Sequence, residues 1–331
     1  MKRFSWVLAV GFVSIFAIGV QTSHTQAPAA APAPGQPPAG APAWAFPTPS
    51  PNQPPSDANA QVKVPDSTKP AMTMAQVDDL FNAADWFPDQ NTPRPDIITK
   101  GRTPNALACG VCHLMSGMGH PESAQLAGLS VQYMVNQMND FKSGVRKDYA
   151  RMNGIAAATT PEEWQAAAQW FSQLKPIPWY KVVETDTVPK TYLTAPGRMR
   201  LPLPDGGTEP IGTRIIVVPQ DVQRVLARDP RIGFIANVPP GSVAKGDALV
   251  NTGGNGKTIM CSICHGQGLK GLGDVPRLAG VHPTYLVRQL YDFKTGDSNG
   301  MAAVLMKPVA ANLTDEDMVD IAAYIAQLPA N

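Results

Sequence analysis

Apolar residues recur at helical spacing in several segments of the chain. Over residues 130–143, Met134, Met138 and Phe141 stand three or four positions apart and therefore share one face of a helix. The same spacing predicts helices near Thr73 and over residues 161–174, 243–251, 283–293 and 314–328. The second and the last of these each follow a Thr with an acidic residue three positions later, which is a capping box. The pattern predicts a mainly α-helical protein.

Two long segments lack this periodicity. Residues 28–71 begin with a Pro- and Ala-rich stretch that carries no charge as far as residue 55, which predicts an extended linker. Trp44 and Phe46 interrupt it, either as aromatic residues of a disordered tail or as anchors on the body of the protein. Residues 177–241 are rich in Pro and Gly, contain neither His nor Cys, and carry one predicted strand over residues 213–218. We expect an irregular connector with short β segments there.

The N-terminus has the composition of an export signal. Lys2 and Arg3 precede an apolar run over residues 6–20, so we predict a signal peptide over residues 1–27. An uncleaved membrane anchor is the alternative for the same segment. The chain of 331 residues has a formal net charge of +1, which argues against nucleic acid or an anionic membrane surface as a partner.

All four Cys residues fall in two copies of the motif Cys-x-x-Cys-His. The copies are Cys109, Cys112 and His113, and then Cys261, Cys264 and His265. This spacing is typical of covalent c-type haem attachment, because two thiols separated by two residues reach the two vinyl groups of one haem. The His that follows then lies under the iron as an axial ligand. The sequence therefore predicts two covalently attached haem c groups.

Two other uses of Cys-x-x-Cys explain the motifs less well. A zinc site would have to join two Cys pairs 152 residues apart, and it gives no reason for the His after each pair. A thioredoxin-like redox pair would follow a strand, whereas residues 103–108 have a loop-like sequence. Haem attachment is therefore the favoured interpretation.

The chain contains an internal repeat. A shift of 152 residues places the first motif on the second, residues 126–128 on 278–280, and residues 140–144 on 292–296. The same shift places Tyr133 on Tyr285 and Gln137 on Gln289. Chance does not preserve one offset through so many positions. We therefore predict two copies of one domain, over residues 72–176 and 242–331, with residues 177–241 as the connector.

The repeated unit resembles the dihaem class I cytochromes c of the cytochrome c4 type. The resemblance rests on the two motifs, on Pro-Arg-Leu-Ala-Gly at residues 276–280 and on residues 285–290 and 313–317. It implies a mainly α fold of two class I cytochrome c domains in tandem, joined by an irregular connector with short β segments. It also implies a periplasmic electron carrier with one His and one Met on each iron. The connector is longer than the connectors that are usual in that family.

Repeat symmetry selects the two axial Met residues. Met152 lies 39 residues after His113 and Met306 lies 41 after His265. Each lies seven residues before the start of the final capped segment of its unit, at Thr159 and Leu313. The resemblance places the axial Met there, and a thioether suits a high-potential haem. The competitors are Met301 in the second unit and Met115, Met118, Met134 and Met138 in the first, with His120 and His282 as candidates for bis-His ligation.

The hydrogen-bond acceptor of each axial His also follows from the resemblance. The carbonyl of a Pro before the Leu-Ala-Gly turn accepts the other ring N–H of the axial His, and Pro276 matches that position. The first unit has Ala124 there. We expect a less constrained loop in the first unit, and hence two haems that differ in potential.

An iron with two protein ligands has no open position, so such haems transfer electrons without binding a substrate. We expect an exported, periplasmic cytochrome that carries single electrons. Its donor would be a dehydrogenase or a quinol-oxidising complex, and its acceptor a terminal oxidase. The alternatives are a cytochrome subunit of a membrane-associated oxidoreductase complex, tethered by an uncleaved signal sequence, and a dihaem peroxidase. The scarcity of His and a Met at both ligand positions argue against the peroxidase.

Overall fold

The computed structural model describes Met1 and residues 37–330, except residues 39, 52, 91–92 and 196–197. The predicted signal peptide, after Met1, and the start of the predicted linker lie outside these residues. The α-helices are α1 (Met74–Val77), α2 (Asp96–Thr99), α3 (Gly110–His113), α4 (Val131–Ser143), α5 (Met152–Ala158), α6 (Pro161–Ser172), α7 (Val222–Leu226), α8 (Ser242–Thr252), α9 (Ser262–His265), α10 (Pro283–Thr295), α11 (Met306–Ala311) and α12 (Asp315–Gln327). None of the described helices is long and apolar enough to cross a membrane.

Short strands accompany the helices. They are β1 (Gln61–Val62), β2 (Met72–Thr73), β3 (Tyr180–Glu184), β4 (Thr187–Pro189), β5 (Thr191–Leu193), β6 (Arg200–Pro202), β7 (Thr208–Pro210), β8 (Ile216–Pro219) and β9 (Phe234–Val238). Most of them lie in the segment between the two haem motifs. The α-helices, by contrast, lie mainly in the two repeated units, as the sequence predicted.

The first repeated unit is organised by α4 and α6, which pack against each other. Ser130 caps α4, because its hydroxyl accepts the N–H of Tyr133 at 3.0 Å, and Gly144 ends the helix with a φ of 76°. Thr160 and Glu163 form the predicted capping box of α6. The apolar faces of both helices bury a core that includes Trp170 and Phe171 of α6. The periodicity of residues 130–143 and 161–174 thus corresponds to two packed helices.

The helix predicted near Thr73 has only four residues in the structure. Thr73 and Gln76 form a capping box at its start, but α1 ends at Val77. The chain turns directly afterwards, because the Asp79 carboxylate accepts the N–H of Phe81 at 2.8 Å. The local hydrogen bond therefore replaces the next helical turn that the apolar spacing predicted.

In the second unit, α8 and α12 cross at close range and form the largest helix contact of this region. Gly246 lies at the crossing, where an added Cβ would stand 2.0 Å from the carbonyl oxygen of Asp320. Only glycine allows this approach without moving one of the helices. α10 also packs on α12, and residues of all three helices belong to one apolar cluster, against which Cys261 of the second haem motif packs.

The connector is more ordered than the sequence predicted. Strands β3, β9 and β8 form a three-stranded sheet in which β3 and β9 are parallel and β8 and β9 are antiparallel. Two further pairs, β4 with β7 and β5 with β6, are antiparallel. Trp179, Val217 and Phe234 are buried in the same apolar cluster as the second unit. The connector therefore shares a core with that unit, as expected of a structured connector packed against the haem units.

The described part of the predicted linker contacts the body of the protein. Phe46 is buried, with edge-to-face contacts to Tyr149 of the first unit and Tyr291 of the second. Ser50 donates its N–H to the carbonyl of Leu193 in the connector at 3.0 Å. Phe46 is thus an anchor rather than part of a disordered tail. The domain boundary at residue 72 stays a prediction.

The two units meet through equivalent residues of the repeat. Arg146 and Ser298, which the 152-residue shift relates, form an antiparallel bridge. Beside it, Asn299 donates its N–H to the carbonyl of Val145 at 2.8 Å. On the other side, Arg288 of α10 pairs with the buried carboxylate of Glu122 at 3.0 Å. The contact between the copies is therefore close to two-fold symmetric, as in an isologous dimer interface.

Candidate haem site

A cavity of about 460 Å³ is lined by both Cys-x-x-Cys-His motifs. The predicted site residues on its wall are Cys109, Cys112, His113, Met152, Cys261, Cys264, His265, Pro276 and Met306. Apolar side chains supply much of the remaining wall. Thiols, imidazoles and thioethers around an apolar space are the donors and the environment that haem c requires. The residues present fit two such groups, one for each motif.

The first motif is held tightly from outside the cavity. The N–H of Cys109 donates to the carbonyl of Ile97 at 2.9 Å, and α3 begins at the next residue. A Cβ on Gly110 would lie 2.8 Å from the Ile98 carbonyl oxygen and 3.2 Å from the Cβ of Ala83. The chain around residues 83–98 therefore covers the outer side of α3, so the thiols and the imidazole remain on the cavity side.

Each motif His makes the same hydrogen bond. The Nδ1 of His113 lies 2.8 Å from the carbonyl oxygen of Ala124, and the Nδ1 of His265 lies 2.8 Å from that of Pro276. A carbonyl only accepts, so Nδ1 carries the proton and Nε2 keeps its lone pair for a metal. Burial lowers the pKa of both rings, which favours the neutral form that ligates iron.

The hydrogen bond from the motif His to its carbonyl acceptor has the same length in the two units. The structure places the predicted acceptor, Pro276, beside His265, and it places Ala124 beside His113 at the same distance. The missing Pro therefore does not lengthen the hydrogen bond of the first unit. A difference in potential between the two haems needs another cause.

The structure separates the Met candidates by position. Met301 is 93% exposed and Met306 lines the cavity at the start of α11. In the first unit, Met152 lines the cavity at the start of α5. Met134 and Met138 of α4 also line it, whereas Met115 and Met118 are buried among other residues. The two residues chosen by repeat symmetry thus occupy corresponding places.

His120 and His282 are both fully buried. The ring Nδ1 of His282 hydrogen-bonds to the hydroxyl of Tyr180, a residue of β3 in the connector. The Nδ1 of His120 accepts the N–H of Glu122 at 3.3 Å. Burial lowers the pKa of both rings well below the usual value. The contact of His282 holds it against the connector, whereas that of His120 is local to its own turn. His120 also lines the cavity, and bis-His ligation stays an untested alternative.

The zinc and thiol–disulfide explanations find no support in the structure. Across the described residues, no group of three or more His, Cys, Asp or Glu side chains could hold a metal ion. Burial raises the pKa of the Cys109 thiol to about 12 and that of Cys261 to about 11. Redox-active cysteines need the opposite shift, since the thiolate is the reactive form.

Polar residues at the interface complete the cavity wall, and sequence reasoning assigned them no role. Arg146 donates through Nη2 to the hydroxyl of Tyr285 at 3.0 Å and to the side chain of Gln289 at 2.5 Å. Its Nη1 contacts the side chain of Gln137. The internal repeat is the sequence feature that could have revealed this cluster, because Gln137 and Gln289 are equivalent positions of the two copies.

The second motif has an exposed apolar rim that the first motif lacks. We define the apolar rim as the exposed residues Ile259, Met260, Ile263, Leu272, Met301, Val304 and Leu305. The residues of the first unit that correspond to Met260 and Ile263 are Ala108 and Val111, and both are buried. Several exposed apolar residues around one motif are typical of an interaction site.

Comparisons with known proteins agree with this site. The cytochrome c family model matches residues 243–329. Cytochrome c-554(548) of Halomonas halodenitrificans is 41% identical over 80 residues, 24% of this chain and 93% of that protein. The thiosulfate dehydrogenase electron acceptor of Thiomonas intermedia is 27% identical over 230 residues, 68% of this chain and 81% of its own. Cytochrome c4 of Pseudomonas aeruginosa is 24% identical over 228 residues, which are 67% of this chain and 85% of that protein.

The chain belongs to the cytochrome c family, because it covers nearly all of a relative that is 41% identical to it. Its relatives that extend over both units include a cytochrome c4, which confirms the resemblance drawn from the motifs. The protein is a dihaem electron-transfer cytochrome with two covalently attached haem c groups, and it is not itself an enzyme.

Proposed function

We propose that this cytochrome carries single electrons in the periplasm from a dehydrogenase to a terminal acceptor. The observation that carries the proposal is the shared cavity, whose wall includes both Cys-x-x-Cys-His motifs and both Met candidates. Export is supported by the signal-like N-terminal sequence, because c-type haem is attached outside the cytoplasm in the family that the chain resembles. The domain division at residues 72–176 and 242–331 belongs to the same proposal.

The proposed iron ligands are His113 with Met152 and His265 with Met306. Haem held in this way supplies one-electron redox chemistry at an iron that has no open position. The chain's own residues orient the imidazoles through the Ala124 carbonyl in one unit and its Pro276 counterpart in the other. The apolar wall excludes water, which limits the rearrangement that accompanies a change of charge.

The donor proposed for the first test is thiosulfate dehydrogenase. Two relatives, each aligned over about two thirds of this chain, are described as electron acceptors of that enzyme. The apolar rim at the second motif is the surface proposed for contact with a redox partner, because it includes Ile263, which precedes the exposed Cys264 in the sequence. The rate of association through such an apolar contact would depend only weakly on the salt concentration.

The test mixes the oxidised cytochrome with thiosulfate dehydrogenase and thiosulfate and follows haem reduction by stopped-flow absorbance. Reduction of both haems supports the donor, and no reduction overturns it. Leu272→Lys and Val304→Lys should lower the second-order rate about tenfold or more, because a charge at the contact costs more than 1.4 kcal/mol. Val145→Lys is the matched control, since Val145 is exposed but lies outside the rim.

The second candidate is a cytochrome subunit of a membrane-associated oxidoreductase complex. The observation that favours it is the uncharged Pro- and Ala-rich sequence that follows the predicted signal sequence, because such a linker suits a tether. Purification of the native protein from membranes without detergent would argue against this candidate. Release only with detergent, together with a dehydrogenase, would favour it over a free carrier.

A further inference from the structure

One residue of the connector reaches the haem cavity. Among the described residues of the connector, only Arg198 lines the cavity wall. It lies in the turn between β5 and β6, which pair in antiparallel register with Leu193 opposite Arg200. The described part of the connector thus contributes one side chain to the wall, and that side chain is a cation.

The backbone of Arg198 is strained. Its φ is 56°, in the left-handed region where any side chain beyond that of glycine crowds the backbone. The turn holds this conformation, because the N–H of Arg198 donates to the Thr194 carbonyl at 3.0 Å and the N–H of Thr194 donates to the Met199 carbonyl at 2.9 Å. Glycine would fit here without strain. An arginine in such a place points to a function of its guanidinium.

The guanidinium of Arg198 is only partly paired. Nη2 donates to the carbonyl of Pro47 in the N-terminal segment at 2.7 Å, but Nε is buried and has no hydrogen-bond partner among the described residues. Within the same part of the chain, Arg198 forms no ion pair with a carboxylate. Burial lowers its pKa, because water no longer solvates the charge well. A buried cation of this kind requires an anion.

The carboxylates that face Arg198 already have other partners. The charges of Glu122 and Asp148 oppose the effect of burial on its pKa, and those of Arg151 and Arg288 add to that effect. Glu122, however, pairs with Arg288 at 3.0 Å. The Asp148 carboxylate accepts backbone N–H groups of the residues that follow it, one of them from Arg151. The anion that Arg198 requires is therefore expected from within the cavity.

The surroundings of Arg198 place it on the side of the first motif. Burial raises the pKa of the Cys112 thiol, and Arg198 is among the cations that oppose this rise. Burial lowers the pKa of His120 in the same unit, and the charge of Arg198 adds to the lowering. In the second motif, the pKa shifts of Cys261 and His265 arise from other groups. The charge of Arg198 therefore acts on the first haem site.

We propose that Arg198 binds a propionate of the haem at the first motif. Haem c carries two carboxylate side chains, and a guanidinium pairs with a carboxylate through parallel hydrogen bonds. The buried Nε of Arg198 then gains the acceptor that it lacks. The connector is in this way part of a haem site and not only a link between the two units. This inference rests on the proposed function, since both require a haem at the first motif.

The test follows the propionates by NMR of the fully oxidised protein. It titrates the haem methyl resonances with pH, and each haem is assigned by its contacts to its own motif His. Because the thioether bonds retain the haem, a variant loses the pairing without losing the group. Arg198→Gln should raise the proton affinity of one propionate of the first haem about tenfold, because the cation that favours the ionised form is gone. Arg198→Lys should keep most of the natural behaviour, because it keeps the charge.

Two control variants separate the charge from the fold. Arg198→Gly relieves the strained backbone and also removes the guanidinium, so it should keep the fold and still show the tenfold change. Arg200→Gln is the matched control on the same hairpin, because Arg200 bonds through Nη1 to the Thr191 hydroxyl at 3.1 Å and is not part of the described cavity wall. It should leave the titration of both haems unchanged.

Several outcomes would contradict the pairing. An unchanged titration in either Arg198→Gln or Arg198→Gly would overturn the inference, as would a lysine variant that behaves like the glutamine variant. Equal changes in Arg198→Gln and Arg200→Gln, or a change confined to the second haem, would overturn it as well. A haem content below two per chain in the natural protein would instead overturn the proposed function.

Discussion

Arg146 of the first unit donates a hydrogen bond to the hydroxyl of Tyr285 in the second unit at 3.0 Å. The guanidinium also contacts Gln137 and Gln289, which are equivalent residues of the two copies. Arg146 is buried and therefore depends on these acceptors to replace water. One cation thus joins the inner faces of both helices that frame the haem cavity.

The first prediction concerns this junction. Arg146→Leu should lower the free energy of unfolding by about 2–4 kcal/mol, because it leaves several buried acceptors without a donor. Denaturant titration followed by circular dichroism measures the change. Arg146→Lys is expected to restore only part of the stability, since an ammonium lacks the planar fork.

Arg214 provides the matched control for the junction. It pairs with Glu209 at 2.9 Å on the partly exposed surface of the connector. Arg214→Leu should change the stability by less than about 1 kcal/mol. Equal effects at Arg214 and Arg146 would show that the inter-unit contact adds no particular stability.

The second prediction concerns iron ligation. Met306→Ala and Met152→Ala should each abolish the methionine–iron charge-transfer band of one haem and lower its potential, since axial Met raises the potential. Absorbance of the oxidised protein and a redox titration measure both effects. Met301→Ala is the control, because Met301 is almost fully exposed. Loss of the band in Met301→Ala but not in Met306→Ala would transfer the ligand role to Met301.

The first unit needs its own control for ligation. Met134 and Met138 line the cavity from α4, so they are the competitors of Met152. Substitution of either by Leu preserves the apolar volume and should leave the charge-transfer band intact. A band that survives Met152→Ala and disappears with one of these Leu variants would assign the ligand to α4.

The third prediction concerns the connector. Tyr180→Phe removes the hydroxyl that hydrogen-bonds to the Nδ1 of the fully buried His282. It should lower the free energy of unfolding by about 1–3 kcal/mol, the cost of a buried polar atom without a partner. Tyr192→Phe is the control, because no hydrogen bond of the Tyr192 hydroxyl is present among the described residues. Equal stability of the two variants would show that the connector does not depend on this contact.

The haem motifs and the helices of both units were predictable because their signals are local. The Cys-x-x-Cys-His spacing needs five residues, and the apolar period of α4 is visible within 13. Pro276 was also found, because the repeat and the resemblance placed it beside His265. The residues that define such a site lie within a short stretch of the chain.

The contacts between distant segments were not predictable in this way. Strands β3 and β9 pair in parallel although about fifty residues separate them, so neither segment shows its partner in its own pattern. The contacts of Phe46 with both units were unpredictable for the same reason. Sequence reasoning did not single out Arg146, because its role arises only from the contact between the two copies.

The last prediction uses the buried carboxyl of Asp292 in α10. Burial raises its pKa to about 7, and the nearby Asp297 and Asp148 act in the same direction. Arg146 and Arg288 oppose the rise without cancelling it. Between the usual pKa near 4 and about 7, the folded protein binds one more proton here than the unfolded chain. Stability from this group therefore falls as the pH rises through that window.

Asp292→Asn should remove this pH dependence. Relative to the natural protein, the variant should gain stability as the pH rises from about 4 to about 7, by about 2–4 kcal/mol, and the gain should be constant above that range. Denaturant midpoints at several pH values measure it. Asp140→Asn at the equivalent, less buried position is the control and should show a smaller slope. A gain that is equal at pH 4 and pH 8 would mean that Asp292 is ionised in the folded protein throughout, held so by Arg146.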